Sequence, residues 1–141
     1  MYSLPVLLML AAVLFVAVTV LVIILLTQRK RPSLNKSFYA RHWSEIDKLL
    51  VNGSPESWQM AVINADKLLF HAMRAKGVRG AHMGEVLKNG APLLSNRNAV
   101  WRAHKLRNQL AHENGVRLDL AVARKAVNSF KSGLRDMGAI D

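Results

Sequence analysis

The apolar residues of the chain are concentrated in one uninterrupted stretch close to its first residue. From Leu4 to Leu26 no residue is charged, and Thr19 is the only polar side chain. A helix of about 23 residues, rising about 1.5 Å each, spans about 35 Å, and the hydrocarbon layer of a membrane is about 30 Å thick. The pattern therefore predicts a transmembrane helix over residues 4–27, since within lipid a single segment satisfies its own backbone only as a helix.

A cleaved secretory signal is the alternative interpretation of this stretch. Such a signal has a basic start, a shorter apolar run and small residues at the cleavage site. Residues 1–3 carry no Lys or Arg, and the apolar run leads into Arg29, Lys30 and Arg31. We therefore expect an uncleaved anchor. Because Lys and Arg are retained on the cytoplasmic side, we expect a single-pass protein of the cell membrane whose C-terminal domain is cytoplasmic.

Beyond a basic juxtamembrane linker at residues 28–37, apolar positions recur at intervals of three and four, which is typical of amphipathic helices. Ser54 and Pro55 form a clear helix start, and Gly77 a clear stop. Four longer helices and a short one are predicted, at 38–51, 54–76, 95–113 and 118–137, with the short helix at 81–89. The sequence thus predicts an all-α fold in which the transmembrane helix precedes an up-and-down four-helix bundle at residues 38–138.

The charge balance predicts an anionic partner. The chain has 20 Lys and Arg against 9 Asp and Glu, a net charge of +11. The basic residues from Arg29 to Arg41 are best explained by contact with anionic lipid headgroups, at about 1 kcal/mol each. A second concentration further along the chain is explained either by solvated helix faces or by an anion-binding surface; it comprises Arg97, Arg102, Lys105, Arg107, Arg117, Arg124 and Lys125.

Several familiar chemistries have no pattern in this sequence. There is no cysteine, no HExxH and no zinc-ligand spacing among the five histidines, so no metal or cofactor is expected. No GxSxG elbow is present. Gly77, Gly80 and Gly84 lack the spacing of a phosphate-binding loop and indicate a turn-rich connection instead.

One polar concentration remains, on the helix predicted at residues 95–113. His104, Asn108 and His112 recur there at intervals of four, and Arg107 lies one turn from His104. Side chains spaced in this way share one helix surface. The stretch is therefore the candidate functional site.

The run Arg107-Asn108-Gln109-Leu110-Ala111-His112 resembles a form of the Rx4-6H motif of HEPN domains (higher eukaryotes and prokaryotes nucleotide-binding), with a polar residue directly after the Arg. The resemblance implies a small helical bundle with the motif on a late helix. Many such domains are metal-independent endoribonucleases that act as dimers. The transmembrane helix lies outside the family core.

The chemistry of these residues agrees with that resemblance. Cleaving RNA without a metal requires proton transfer at the 2′-hydroxyl and at the leaving 5′-oxygen, which His112 suits, and charge stabilisation at phosphorus, which Arg107 suits. Asn108 would orient the phosphate or the imidazole. Residues five apart on one helix diverge by about 140°, so Arg107 and His112 would converge best across a homodimer. The candidate RNA- or anion-binding residues are His104, Lys105, Arg102 and Arg97.

Three interpretations remain open. The chain is either a ribonuclease or RNA-binding module, or a non-catalytic membrane-tethered interaction domain; binding of a nucleotide or another small anion without cleavage is a third reading. His112 near a helix end also fits simple complementation of the helix dipole, and Trp101 is expected to be a core or dimer anchor. An active ribonuclease would also need a regulatory protein partner, which nothing in the sequence identifies.

Overall fold

The computed structural model describes residues 3–27, 32–51 and 53–141, which belong to two compact units, Met1–Arg31 and Pro32–Asp141. The described part of the first unit, residues 3–27, contains one helix, α1 (Leu4–Thr27), with a mean hydropathy of 3.2 over its most apolar 18 residues. None of its residues is buried. By length and composition this helix is able to cross a membrane, as predicted.

The two hydroxyl groups of α1 bond to their own helix. Thr19 Oγ1 donates to the carbonyl of Phe15 at 2.7 Å, and Thr27 Oγ1 donates to the carbonyl of Ile23 at 2.6 Å. A hydroxyl satisfied in this way needs no water. The polar side chains of α1 are therefore compatible with an apolar surrounding.

The second unit is built of α-helices, and its described residues contain no strand. The helices are α2 (Lys36–Val51), α3 (Pro55–Ala75), α4 (Met83–Asn89), α5 (Arg97–His112) and α6 (Leu120–Asp136), with a 3-10 turn at Ala91–Leu93. The predicted all-α fold and helix order are confirmed. The predicted short helix begins later than expected, at Met83, because the side chain of His82 caps it by accepting from the amide of Glu85.

The predicted helix boundaries follow the capping residues. Ser54 Oγ accepts from the amide of Ser57 at 3.1 Å, and Pro55 occupies the first turn of α3. Asn96 caps α5, so this helix begins at Arg97, and Asp119 caps α6. The sharp chain reversal after α3 falls at Gly77, whose φ of +89° is easily adopted only without a side chain.

The predicted linker and domain limits shift slightly. Residues 28–31 of the linker and residue 52, which follows the helix predicted at 38–51, lie outside the described residues. Residues 32–35 have no regular structure, while Lys36 and Ser37 already belong to α2. The core of the second unit extends past residue 138 to include Ala139 and Ile140.

Helix α3 is the central element of the bundle. It packs against α2, α5 and α6, while α5 also packs against α6, and the short α4 lies against α3 and α5. The apolar sides of α3 and α6 meet in one core. This core includes Leu69 and Phe130, which are both fully buried. Gly133 permits the close approach of α6 to α3, since a Cβ there would lie 2.9 Å from Leu69 Cδ2.

Candidate functional site

Two polar side chains are buried at the contact between α3 and α5. Asp66 and His104 are 3% and 8% exposed, and they are the only polar or charged residues buried among those described. His104 Nδ1 lies 2.8 Å from Asp66 Oδ1. A buried polar group is stable only with a bonding partner, and each of these two residues supplies that partner for the other.

Asn108 and Arg107 extend this pair into a closed arrangement, which we call the polar ring (Asp66, His104, Arg107, Asn108). Arg107 Nη1 donates to Asn108 Oδ1 at 3.2 Å, so the amide of Asn108 faces His104 and donates to its Nε2, also at 3.2 Å. Nε2 therefore accepts, and the proton of the imidazole resides on Nδ1, from which it is donated to Asp66. Both nitrogen atoms of His104 are engaged.

The ring closes between Arg107 and Asp66. Arg107 Nε lies 3.5 Å from Asp66 Oδ2, a distance that permits charge attraction but is long for a hydrogen bond. The Arg107 side chain remains 26% exposed, and only one of its N–H groups makes a hydrogen bond within the described residues. A buried carboxylate thus orients the guanidinium while other donors on Nη1 and Nη2 stay available to a ligand.

The polar ring forms one wall of a cleft of about 390 Å³, which we call the Arg107 cleft. Its lining comprises Asp66, Lys67 and Phe70 of α3, Ala81 and His82 of the connection that follows α3, Met83 and Gly84 at the start of α4, and His104, Arg107 and Asn108 of α5. The lining carries two full positive charges, on Lys67 and Arg107. Its one carboxylate, that of Asp66, is already paired with His104. The cleft therefore favours an anion, and a phosphate matches the fork of an arginine.

His82 brings a second imidazole to the Arg107 cleft. Its Nδ1 accepts from the amide of Glu85 at 3.4 Å, while its Nε2 lies 3.5 Å from Glu85 Oε1. The side chain is 71% exposed. Unlike His104, His82 is in contact with solvent and able to exchange a proton there.

The structure brings together only some of the predicted residues. Arg107, Asn108 and His104 converge as expected, but His104 is buried rather than on an open surface. His112 is the exposed last residue of α5 and is not part of the cleft lining. Asn108 and His104 therefore share the cleft, whereas His112, one turn further along α5, does not line it.

The predicted anion-binding residues lie in different places. Arg97 is the exposed first residue of α5, and Lys105 is exposed on its outer surface. Arg102 lines a separate depression shared with α6. Trp101, expected as a core or dimer anchor, is 39% exposed and so is not a core residue.

Three residues of the Arg107 cleft were missed from the sequence: Asp66, Lys67 and His82. Asp66 did carry a signal, because it lies four residues after Val62 and three before Leu69, within the apolar stripe of α3. An acid on a buried face requires a partner. No sequence signal marked Lys67 or His82, since their place in the cleft depends on how α4 packs.

Within the described ranges, no three His, Asp or Glu side chains are grouped so as to hold a metal ion. Comparison of the chain with protein families, with curated proteins and with solved structures found no match.

Proposed function

We propose that the second unit binds RNA in the Arg107 cleft and cleaves it without a metal ion, as a membrane-anchored HEPN-like endoribonuclease. One observation carries the proposal. The Arg107 guanidinium is held in a solvent-open cleft by Asp66 and Asn108, and further N–H groups on its Nη1 and Nη2 atoms remain available to bind a ligand. Donors fixed before the substrate arrives stabilise a developing negative charge without reorganisation.

The reaction divides among a few groups. One imidazole removes the proton of the 2′-hydroxyl, whose oxygen attacks the adjacent phosphorus. A second imidazole protonates the departing 5′-oxygen, and the products are a 2′,3′-cyclic phosphate and a free 5′-hydroxyl. Arg107 neutralises the charge that builds on the phosphate oxygens. His104 is held by two hydrogen bonds, so the proton carriers are His82 in the cleft and the His112 of a second copy.

A homodimer supplies the second imidazole. Within one chain, Arg107 and His112 point about 140° apart around α5, and His112 is exposed at the end of the helix. A two-fold arrangement of two such ends presents the His112 of each copy to the Arg107 cleft of the other.

The location of this activity follows from α1. This helix is long and apolar enough to cross a membrane, and basic residues stand at 29–31, one residue after its end. Positive charge is retained on the cytoplasmic side. The second unit therefore meets cytoplasmic RNA next to the membrane.

A non-catalytic interaction domain is the second candidate, and one observation favours it. The polar ring satisfies its members largely among themselves, as a purely structural network would. Trp101 and Val122 are 39% and 43% exposed and available for a protein contact. A partner protein whose capture resists ribonuclease treatment supports this candidate.

Cleavage in the presence of EDTA separates the two candidates. Purified full-length chain in detergent would be incubated with RNA beside the Arg107→Ala and His112→Ala variants, with Arg41→Ala on α2 as a matched loss of charge. We expect wild type and Arg41→Ala to cleave, and losses of about 100-fold or more in the other two. Equal behaviour of all four proteins, with the helical content unchanged, would refute catalysis.

A further inference from the structure

Helices α5 and α6 carry an unusual excess of positive charge. Within Arg97–His112 there are Lys and Arg side chains but no acid, and within Leu120–Asp136 the only acid is Asp136. Asp136 is engaged, since its Oδ2 accepts from the amide and the hydroxyl of Ser95 at 2.9 Å. The surface shared by these two helices therefore has almost no internal counter-charge.

Some of these basic side chains line a concave surface, which we call the α5–α6 groove. It consists of two adjoining depressions of about 290 and 550 Å³ that share Ala99, Lys125 and Ser129. Arg102 lines the first depression, and Arg124 and Asn128 line the second. No acid lines either one. The groove thus combines three cations and the Asn128 amide with apolar side chains of the first depression, among them Leu106 and Val122.

The three cations are free to bind. Arg102, Arg124 and Lys125 are exposed, and within the part of the chain that the structure describes their side chains make no ion pair and no hydrogen bond. A second copy of this chain is a poor occupant, because a two-fold contact here would bring six positive charges together. A lipid surface is also a poor fit, since it is flat and the groove is concave. A flexible polyanion fits both the charge and the shape.

A row of polar side chains connects the groove to the Arg107 cleft. Arg102, Lys105 and Asn108 are spaced three apart on α5, so each lies about 60° further around the helix than the one before. The first lines the groove, the second is exposed, and the third lines the cleft. The row crosses the outer surface of α5 from one depression to the other.

We propose that the α5–α6 groove binds the phosphate backbone of a single-stranded polynucleotide, which passes over Arg102 and Lys105 to reach the Arg107 cleft. This proposal rests on the proposed function. It identifies the substrate as single-stranded RNA, which the groove holds at nucleotides away from the one that is cleaved. Arg102, Arg124 and Lys125 contact successive phosphates, while the Asn128 amide donates a hydrogen bond. Contacts to the backbone give affinity without sequence preference.

The salt dependence of binding tests this assignment. Full-length chain in phosphatidylcholine nanodiscs would be titrated into a labelled 2′-O-methyl RNA of about 12 nucleotides, which lacks the attacking hydroxyl. Affinity would be measured by fluorescence anisotropy at KCl concentrations from about 50 to about 200 mM. The groove variant is Arg124→Gln/Lys125→Gln, and the matched control is Arg41→Gln/Lys48→Gln, which removes two exposed charges from α2.

A plot of log affinity against log salt concentration has a negative slope. Loss of two phosphate contacts makes that slope shallower by about 1.4 for a single strand. We expect that loss in the groove variant, with the control keeping the wild-type slope. Equal slopes in the two variants, or a groove variant that matches wild type, would overturn the proposal. So would a groove variant that keeps its RNA affinity but loses binding to phosphatidylserine vesicles, since the occupant would then be a membrane.

The outcomes also separate this proposal from the proposed function. A groove variant with an unchanged slope, beside cleavage that still depends on Arg107, overturns the groove alone. A slope that depends on the groove, in a protein that cleaves no RNA, overturns catalysis and leaves the groove as an RNA-binding surface.

Discussion

His104 Nδ1 and Asp66 Oδ1 lie 2.8 Å apart in the interior of the bundle, joining the middle of α5 to the middle of α3. This contact determines the tautomer of His104 and, through Asn108, the position of the Arg107 guanidinium. The pair therefore has two roles. It holds two helices together, and it sets the geometry of the Arg107 cleft.

Replacing Asp66 is expected to destabilise the protein in a graded way. Asp66→Ala leaves His104 and Arg107 without their carboxylate, and breaking a buried pair from one side costs about 3–5 kcal/mol. Asp66→Asn keeps an acceptor for His104 and should cost about 1–3 kcal/mol. Thermal unfolding followed by circular dichroism in detergent measures both, with the exposed Asp47→Asn on α2 as the control. Unfolding temperatures that match wild type in all three would show that the ring contributes no stability.

Dimerisation is tested by mixing two inactive variants. In the proposed composite site, Arg107→Ala and His112→Ala chains that exchange partners form a mixed dimer with one intact site. A statistical mixture of equal amounts then recovers roughly a quarter of the wild-type cleavage rate. The mixture is assayed after incubation in detergent that permits exchange, against each variant alone. Activity that stays at the level of the separate variants, under conditions where mixed dimers are detected by tag pull-down, would mean that each site belongs to one chain.

Tyr39 gives the bundle a dependence on alkaline pH. Burial raises the pKa of the Tyr39 phenol, whose hydroxyl lies 2.7 Å from His71 Nδ1. Because the folded state holds this proton more tightly than the unfolded state, stability is retained below the ordinary tyrosine value of about 10 and falls as the pH rises past it. The Tyr39→Phe variant should lose less stability than wild type as the pH rises above about 10. An identical pH dependence in the two proteins would contradict this role for Tyr39.

The helices were predictable because their signals are local. Ser54 with Pro55 begins α3, Gly77 ends it, and the spacing of apolar residues shows which side of each helix is buried. The late start of α4 was missed, since a histidine cap at His82 has no strong sequence signature. Local chemistry therefore accounts for the elements of the fold and most of their ends.

The site was predictable only in part, because it depends on contacts between distant residues. Asp66 and His104 are 38 positions apart, and nothing in the spacing along α5 indicates which residue of α3 faces His104. Helical periodicity did place Arg107 beside His104 and Asn108. It also placed His112, the last residue of α5, on the same stripe, but this residue does not line the cleft. Periodicity within one helix describes neighbours, and the packing of α3, α4 and α5 selects which of them form a site.

The rate and products of RNA cleavage in EDTA test the central claim most directly, with Arg107→Lys compared with wild type. Lysine keeps the charge but lacks the fork that joins Asn108 and a phosphate, so we expect a loss of about 10- to 100-fold in rate. Wild-type products should end in 2′,3′-cyclic phosphates. Cleavage by Arg107→Lys and Arg107→Ala at the wild-type rate, or no cleavage by the folded wild-type protein, would contradict the assignment of Arg107 as the group that binds the reacting phosphate.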